Sequence, residues 1–296
     1  MTLEQLRIFV AVAEREHVTR AAEALNITQS AASSAINALE LRHDVRLFHR
    51  VGRRIELTDV GRMFLEEARA VLARAAGAEL ALSEYGSLKR GNLQLVASQT
   101  IAAYWLPARL AAFHQRYPLI ELSVAIANTE GAARCVHEGT AELGFIEGSI
   151  DDPALAHWPV GTDRMLLVGR TSTDAVTDEW LLRAPWIMRE LGSGTRSTFE
   201  EVVRARGVDP RDLNVVLTLP SNESVLAAVR AGVGYAVLSH LVVAPAIEAR
   251  ALYALPFELP ARPFYGLRQK ERYRSRAADA LLDVIRGYEA DSDHVE

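Results

Sequence analysis

The feature that most restricts the fold is a small-residue helix followed by a short turn and a helix whose first turn is polar. An amphipathic helix precedes them, and Thr19 is placed to cap the small-residue helix over residues 20–25, where three alanines permit close packing. After a turn at residues 26–27, Thr28 can cap the last helix, over residues 29–42. This order predicts a helix-turn-helix.

The last of these helices carries polar side chains on one face, while Ala32, Ile36 and Leu39 face a core. The second helix of a helix-turn-helix enters the major groove of DNA, where Gln and Asn pair with adenine and Ser contacts bases or phosphates. The same polar residues would also suit an ordinary exposed helix. The candidate DNA-binding residues here are Thr28, Gln29, Ser30, Ser33, Ser34 and Asn37.

A basic cluster follows this helix, although the whole chain has a formal net charge of −5. It comprises Arg42, His43, Arg46, His49, Arg50, Arg53 and Arg54. Two apolar segments, at residues 45–48 and 55–57, flank its arginine-rich turn and predict a wing that lies along phosphates or a minor groove. Charge clusters are often only solvated faces, but Arg50, Arg53 and Arg54 are candidate DNA-binding residues here.

Residues 59–89 are predicted to form one long helix without proline, which Thr58 can cap. Along it, apolar residues and alanines recur at alternating spacings of four and three, which is typical of a seam between two closely packed helices. The helix could instead pack on its own domain. Regulators that bind two-fold symmetric DNA sites need two copies of the DNA-binding domain, so we favour dimerisation. The seam comprises Phe64, Ala68, Val71, Ala75, Ala78, Leu82 and Tyr85, and Gly86 and Gly91 mark a hinge after it.

From residue 91 onward, short apolar runs alternate with helical stretches, which is the pattern of a doubly wound α/β domain. We expect a first subdomain at residues 91–163 and 268–296 and a second at 164–267. The predicted strands lie at residues 93–97, 122–127, 143–146, 164–168, 186–188, 215–219, 235–238 and 264–267, and the C-terminal helix at 275–287.

Hydroxyl, amide and charged side chains follow several of these strands. In open α/β sheets, ligands bind beyond the carboxyl ends of strands, where helix N-termini present N–H groups. Ser and Thr are common helix caps without any ligand, but the whole set on two facing subdomains favours a small anion or carboxylate. The candidate effector-binding residues are Ser98, Gln99, Thr100, Thr129, Glu147, Ser193, Gly194, Thr195, Arg196 and Asn222.

The stretch at residues 193–196 is the strongest single candidate, because Gly194 lets backbone approach and Arg196 adds positive charge. Glu147 and Glu190 near the same cleft disfavour a highly charged anion unless Arg196 offsets them.

The ordered residues from Thr19 to Gly61 resemble the DNA-binding segment of LysR-type transcriptional regulators. The similar features include paired alanines, Gln-Ser at the start of the recognition helix, Leu-Phe before the wing and Leu-Thr after it. The chain departs from the family pattern with Arg42-His43, with Asp44 where glycine is usual, and with Ala31 where proline is common; Asp44 can still adopt a turn conformation.

The remainder of the chain resembles the effector domain of the same family. Its Gly-Ser-Gly-Thr-Arg stretch is similar to that of members that respond to small anions, including sulfur-metabolism and carbon-fixation regulators. The resemblance implies an N-terminal all-α winged helix-turn-helix at residues 1–58, a linker and dimerisation helix at 59–89, and a C-terminal α/β periplasmic-binding-protein-like domain of two subdomains at 91–296. The implied partners are operator DNA, a second copy of the chain in a homodimer or homotetramer, a small-molecule effector and RNA polymerase.

Other classes of protein fit the sequence less well. The chain lacks a Walker A loop, a GxSxG elbow, an HExxH pair and a dinucleotide GxGxxG, so we expect no catalytic residues, no metal site and no cofactor besides the effector. A solute-binding protein would leave residues 1–58 unexplained and would need an export signal. An architectural DNA-binding protein without an effector is a further alternative, and its thermal midpoint would ignore every small molecule.

The composition of the chain indicates where in the cell we expect the protein. No run of 18 apolar residues is present, and the charged amino terminus does not read as a secretory signal. Cys135 is the only cysteine, which excludes an internal disulfide and fits a reducing cytoplasm. We therefore expect a cytoplasmic protein that does not span a membrane.

Overall fold

The computed structural model describes residues 1–51, 54–83, 91–148 and 150–292. The chain divides into two compact units, Met1–Gly86 and Ser87–Glu296. Within the part of the chain that is described, no helix is long and apolar enough to cross a membrane.

The first unit begins with three helices, α1 (Leu3–Arg15), α2 (Val18–Ala24) and α3 (Gln29–His43). His17 caps α2 with its ring Nδ1, which accepts the N–H of Arg20 at 3.4 Å. The prediction that Thr19 is the cap is therefore wrong, because the helix begins earlier than its alanines indicate. Thr28 caps α3 as predicted, and its Oγ1 accepts the N–H of Ala31 at 3.2 Å.

A two-stranded antiparallel wing and a long helix complete the unit: β1 (Phe48–Val51), β2 (Arg54–Leu57) and α4 (Asp59–Ser83). Asp44 ends α3 in the left-handed conformation with φ 51°, so it does adopt the turn that glycine would favour there. Thr58 accepts the N–H of Gly61 through Oγ1 at 2.9 Å, as expected of a cap. A Cβ on Gly61 would lie 2.1 Å from the Leu47 carbonyl oxygen, so this close approach requires glycine.

One core cluster of the first unit joins α1, α3 and α4. Leu6 and Phe9 of α1 pack against Leu39 of α3 and Ala68 of α4. Leu47, directly before β1, completes this cluster, and each of the five is at most 3% exposed. Burying a side chain the size of Leu or Phe stabilises a fold by about 1.5–3 kcal/mol. The first half of α4 therefore belongs to the DNA-reading unit's own core.

The second unit alternates strands and helices throughout. In chain order it comprises β3 (Gly91–Ser98), a π-helical segment (Ile101–Trp105), α5 (Leu106–Arg116), β4 (Ile120–Ala127), α6 (Thr129–Glu138), β5 (Leu143–Glu147), β6 (Leu155–Asp163), β7 (Met165–Gly169), α7 (Asp178–Arg183), β8 (Trp186–Arg189), α8 (Gly194–Ala205), β9 (Val215–Leu219), α9 (Asn222–Arg230), β10 (Ala236–Ser239), α10 (His240–Glu248), β11 (Tyr253–Ala254), β12 (Arg262–Gln269) and α11 (Arg276–Ser292).

The first subdomain is built on a five-stranded sheet in the order β4-β3-β5-β12-β6. β3 is parallel to β4 and β5, whereas β12 is antiparallel to β5 and β6. The predicted boundary at residue 267 is therefore wrong: β12 lies in this sheet with Phe264 and Leu267 fully buried, so the chain returns to the first subdomain by Arg262. The prediction also contained no strand over the residues of β6, an edge strand that holds Pro159 and Gly161.

The second subdomain holds two small sheets, parallel β8-β9 and antiparallel β10-β7-β11. A bridge between Trp186 and Tyr235 links β8 to the residue before β10. Trp186 and Phe199 pack 4.6 Å apart in its core, between β8 and α8. The end of β8 and the start of α8 carry polar residues that are described next.

Candidate DNA-reading surface and effector cleft

The recognition helix α3 presents its two faces as predicted. Ala32, Ile36 and Leu39 are at most 7% exposed and pack in the core. The candidate residues lie on the opposite side: Thr28, Gln29, Ser30, Ser34 and Asn37 are exposed, and Ser33 is half-buried.

Hydrogen bonds along this face are local. The Gln29 side-chain Nε2 donates to Ser33 Oγ at 2.9 Å, and the hydroxyls of Thr28 and Ser30 lie 3.0 Å apart. Such contacts preorder the side chains while leaving them open to solvent. The helix therefore offers donors and acceptors to a base edge without unfolding or unpacking anything.

The wing carries the remaining candidate DNA contacts. Arg50 and Arg54 lie on its two strands, where Arg50 pairs with Ile55 and Arg54 with Val51. The side chains of Arg50 and Arg54, and the whole of Arg53, lie outside the described residues. Contact of these arginines with phosphate stays a prediction.

The predicted dimerisation seam on α4 divides into two parts. Phe64 stacks on Phe9 with ring centroids 4.8 Å apart, and Ala68 is 1% exposed, so both pack within the unit's own core. Farther along, Val71 and Leu82 are 42% and 80% exposed. Ala78 is also exposed and Ala75 half-buried. Tyr85 and Gly86 lie outside the described residues, and dimerisation through this seam stays a prediction.

In the second unit, five strands end in a polar residue that is at most 5% exposed. The five are Ser98 of β3, Glu147 of β5, Asp163 of β6, Arg189 of β8 and Ser239 of β10. Arg262, 2% exposed, begins the antiparallel β12. Both subdomains contribute to this set. We use the name effector cleft for these residues and for the helix N-termini that contact them.

On one side of the cleft, Glu147 is the centre of a chain of hydrogen bonds. Its carboxylate accepts the hydroxyl of Ser98, and its carbonyl oxygen accepts the hydroxyl of Thr129 at 2.8 Å. The N–H of Gly194, at the start of α8, donates to Thr129 Oγ1 at 3.1 Å. A Cβ on Gly194 would lie 2.3 Å from the Glu147 carbonyl oxygen, so glycine is needed for this approach of the chain to itself.

On the other side, Asn222 links the subdomains. Its N–H donates to Gln99 Oε1 at 2.8 Å, and its Nδ2 donates to Thr100 Oγ1 at 3.0 Å. Arg189 donates to its Oδ1 at 2.5 Å and forms an ion pair with Glu190 at 2.8 Å. Seven of the ten predicted effector residues take part in the bonds of these two sides, and Ser193 and Thr195 adjoin Gly194 in the chain.

Arg262 was absent from the candidate residues, yet it contacts cleft residues of both subdomains. Its guanidinium donates to Asp163, lies 3.6 Å from Glu147 and donates to Thr195 Oγ1 at 3.2 Å. Asp163 also accepts the Ser239 hydroxyl at 2.8 Å. Among the described residues, the Nε of Arg262 is buried with no hydrogen-bond partner. The available signal in the sequence was an arginine directly before the largely apolar run at residues 263–267.

Arg196 does not supply positive charge to the cleft as expected. Its Nε pairs with Glu200 at 2.7 Å, and its Nη1 donates to the Arg189 carbonyl oxygen at 3.1 Å. Consecutive side chains of a helix point about 100° apart, so Arg196 is turned away from Thr195, which contacts Arg262 in the cleft. The offset by Arg196 that a highly charged anion would have required is therefore absent: Arg262 lies against Glu147 and Arg189 pairs with Glu190.

Ser193 precedes α8 and is 3% exposed, but its side chain makes no capping hydrogen bond. Ser221 at the start of α9 differs, because it accepts the N–H of Ser224 at 3.0 Å in a capping box. Among the described residues, Ser193 without a capping bond and Arg262 with an unpartnered Nε give the cleft unused hydrogen-bonding capacity.

A winged helix-turn-helix with an exposed polar recognition helix, together with a two-subdomain α/β unit with a polar cleft, defines a DNA-binding regulator that responds to a small molecule. The family model described as "Bacterial regulatory helix-turn-helix protein, lysR family" matches residues 3–62, and that of the "LysR substrate binding domain" matches residues 86–290. The chain therefore belongs to the LysR family of transcriptional regulators, which are not enzymes.

Two relatives extend the match along the chain. It is 30% identical to the uncharacterised HTH-type transcriptional regulator YeiE of Escherichia coli, over 96% of both chains. It is also 30% identical to a probable RuBisCO transcriptional regulator of Nostoc, over 96% of this chain and 87% of that one.

Solved structures show the same fold. Full-length OxyR from Pseudomonas aeruginosa matches with a TM-score of 0.68 at 22% identity, over 97% of this chain and 95% of that one. Full-length CbnR in complex with its target DNA matches with a TM-score of 0.66 at 21% identity, over 97% and 99% of the two chains.

Proposed function

We propose that the effector cleft binds a small, singly charged anion or carboxylate, and that this ligand modulates transcription through the DNA-binding unit. The observation that carries the proposal is the set of buried polar strand ends, which two subdomains contribute together. Buried polar groups are costly unless they are hydrogen-bonded, so a cleft built from them has a use beyond packing.

Charge limits the ligand to a single negative charge. Glu147 and Asp163 are both buried beside Arg262, which is the one described arginine that contacts them. Arg189 and Arg196 are already paired with Glu190 and Glu200. A second negative charge on the ligand would face these carboxylates in a medium that screens charge poorly. The spare donors support one acidic group: the hydroxyl of Ser193, the Nε of Arg262 and the start of α8.

The proposed mechanism is a change in closure of the two subdomains. The bonds of Asn222 to Gln99 and Thr100 and of Gly194 to Thr129 join the subdomains directly. A ligand that replaces some of them shifts the balance between closed and open forms. In a homodimer or homotetramer assembled through the exposed part of α4, that shift alters the spacing of the paired DNA-binding units on DNA. RNA polymerase responds to the altered spacing. We place this activity in the cytoplasm, with the DNA.

Thermal unfolding of the full-length chain with a panel of anions tests the proposal. We expect at least one monoanion among short carboxylates to raise the midpoint, because a ligand at about 100 times its Kd adds about 2.7 kcal/mol to stability. Sulfate and thiosulfate, which are dianions, and phosphorylated metabolites, whose phosphate groups carry about 1.5–2 negative charges at pH 7, should have no effect.

Thr100→Val removes the acceptor of Asn222 and should abolish the shift while leaving DNA binding intact. The matched control is Thr218→Val on the exposed face of β9, which should keep the shift. A midpoint that ignores every anion would favour an architectural protein without an effector. An equal response to sulfate would refute the charge argument.

A further inference from the structure

A groove of about 770 Å³ lies in the first subdomain, between the edge strand β6 and the C-terminal helix α11. None of the residues that line it belongs to the effector cleft. Its volume is within the range of about 300–1,000 Å³ that is typical of clefts for small organic ligands. The groove is therefore a second place where this unit has room for a ligand.

One wall of the groove is aliphatic and belongs to the core of the subdomain. Val160 of β6 is half-buried, and Leu282 and Ile285 of α11 are at most 8% exposed. All three pack against the same hydrophobic core. Packing therefore holds this wall in place before any ligand binds.

The aromatic residue of the groove, Trp158, is already covered. It lies against its cross-strand partner Gly266, where a Cβ would be only 2.7 Å from the indole ring. The guanidinium of Arg268 lies over the same ring, 5.5 Å from its centroid. An aromatic ligand would have to displace Arg268 to stack on Trp158, so the groove suits an aliphatic chain better.

Among the described residues, three arginines and one acidic residue line the groove. Arg268 pairs with that acidic residue, Asp279, at 3.2 Å, and Arg286 pairs with Asp283 at 2.7 Å. Arg274 is exposed and forms no ion pair or hydrogen bond with another described residue. The groove therefore holds one positive charge that no carboxylate in the described part of the chain engages.

Arg268 and Arg274 also repel each other. Burial, followed by the charge of Arg274, lowers the pKa of Arg268, whereas its pair with Asp279 raises it. A carboxylate that accepted hydrogen bonds from both guanidinium groups would offset this repulsion. Such charge-assisted bonds are among the strongest hydrogen bonds in proteins.

We propose that this groove is a second ligand site, which binds an aliphatic carboxylate. The carboxylate contacts Arg274 and Arg268, and the hydrocarbon chain lies along Val160 and Leu282. The site is separate from the effector cleft, so the inference does not depend on the function proposed above. It requires only that charge and apolar surface be presented together, which this groove does.

Equilibrium dialysis of the full-length chain with butyrate, hexanoate, octanoate and decanoate, each below its micelle concentration, tests the inference. We expect one decanoate site per chain. Affinity should rise about fourfold for each methylene that the groove buries, which corresponds to about 0.8 kcal/mol. Decan-1-ol has the same chain without the charge and should bind at least roughly tenfold more weakly than decanoate. Affinity that ignores chain length, or equal binding of decan-1-ol, would overturn the inference.

Arg274→Gln should weaken decanoate binding roughly tenfold, the size expected for one charged hydrogen bond. The matched control is Arg230→Gln, because Arg230 is exposed at the end of α9 and does not line the groove. Both residues are exposed, so neither variant should disturb folding. Equal affinities for decanoate in the two variants would contradict the role of Arg274.

Thr100→Val separates the groove from the effector cleft. The variant should leave decanoate binding unchanged, whereas Arg274→Gln should keep the midpoint shift that a short carboxylate causes through the cleft. Loss of decanoate binding in Thr100→Val would place the ligand in the cleft, and the inference would then be wrong while the proposed function stands. A change of oligomeric state in Arg274→Gln with unchanged decanoate affinity would show instead that a second copy of the chain covers the groove.

Discussion

The recognition helix and the effector cleft both depend on small polar residues, but they hold them in opposite ways. On α3, Gln29, Ser30 and Asn37 are exposed and bonded only to near neighbours, if at all. In the cleft, Thr100 and Asn222 are at most 1% exposed and bonded to each other across two subdomains.

The difference separates a surface that is ready to bind from a site that is closed on itself. DNA needs to displace only water from α3. A ligand must replace hydrogen bonds that the cleft already makes, so binding there is coupled to a change in shape. Such coupling is what a sensor requires and what a DNA reader does not.

The largest expected effect comes from removing the buried arginine of the cleft. Arg262→Met leaves the carboxylates of Asp163 and Glu147 buried without their cation, which typically costs about 3–5 kcal/mol. Denaturant unfolding of the full-length chain should show this loss in the second unit.

Arg183→Met is the control for that measurement, because the pair of Arg183 with Glu179 is exposed on both sides and is worth about 0.5 kcal/mol. Equal stability losses for the two variants would mean that the cleft network is not buried as described.

A smaller effect, and on binding rather than folding, is expected from Gln29→Ala. The variant should lower discrimination between operator and random DNA by about 1–3 kcal/mol, the value of one good base contact. Because Gln29 is exposed, the free energy of unfolding should stay within about 0.5 kcal/mol. Competition binding with an operator selected from genomic DNA measures the first quantity. Unchanged discrimination would show that the recognition face has been assigned to the wrong residues.

The smallest expected effect compares two serines at helix starts in the cleft. Ser221→Ala removes a capping box and should cost about 1 kcal/mol of unfolding free energy. Ser193→Ala removes no capping bond and should cost less than about 0.5 kcal/mol, yet it should weaken the response to the effector. If Ser193→Ala is the more destabilising of the two variants, the Ser193 hydroxyl has a structural role and is not an unused hydrogen-bonding group for a ligand.

Local patterns predicted what depends on local chemistry. Short apolar runs located most strands, and Thr28 located the start of α3 within the helix-turn-helix. Polar residues after strands identified Ser98 and Glu147 as neighbours, since strand ends in a parallel sheet meet at one edge. These features need only the period of a helix or strand and the preferences of its caps.

Two errors came from contacts between residues far apart in the chain, and a third from a pair within one helix. Arg262 lies far along the chain from Asp163 and Glu147, and only the return of β12 to the first sheet brings them together. The direction of Arg196 depends on Glu200 one turn later, which offers a nearer partner than the cleft. The packing of Ala68 on α1 likewise assigns part of the α4 seam to the domain core, a result that spacing along one helix does not contain.

Hydrogen exchange of three backbone amides in the effector-free, full-length chain tests the central claim most directly. Gly194, Asn222 and Gln29 each occupy the first position of a helix, where an N–H ordinarily lacks a partner. The cleft closed on itself predicts slow exchange at Gly194 and Asn222, by at least about tenfold relative to Gln29, because Thr129 and Gln99 hold them across the subdomains. Equally fast exchange at all three would contradict the account, because the cleft would then be open before any ligand arrives.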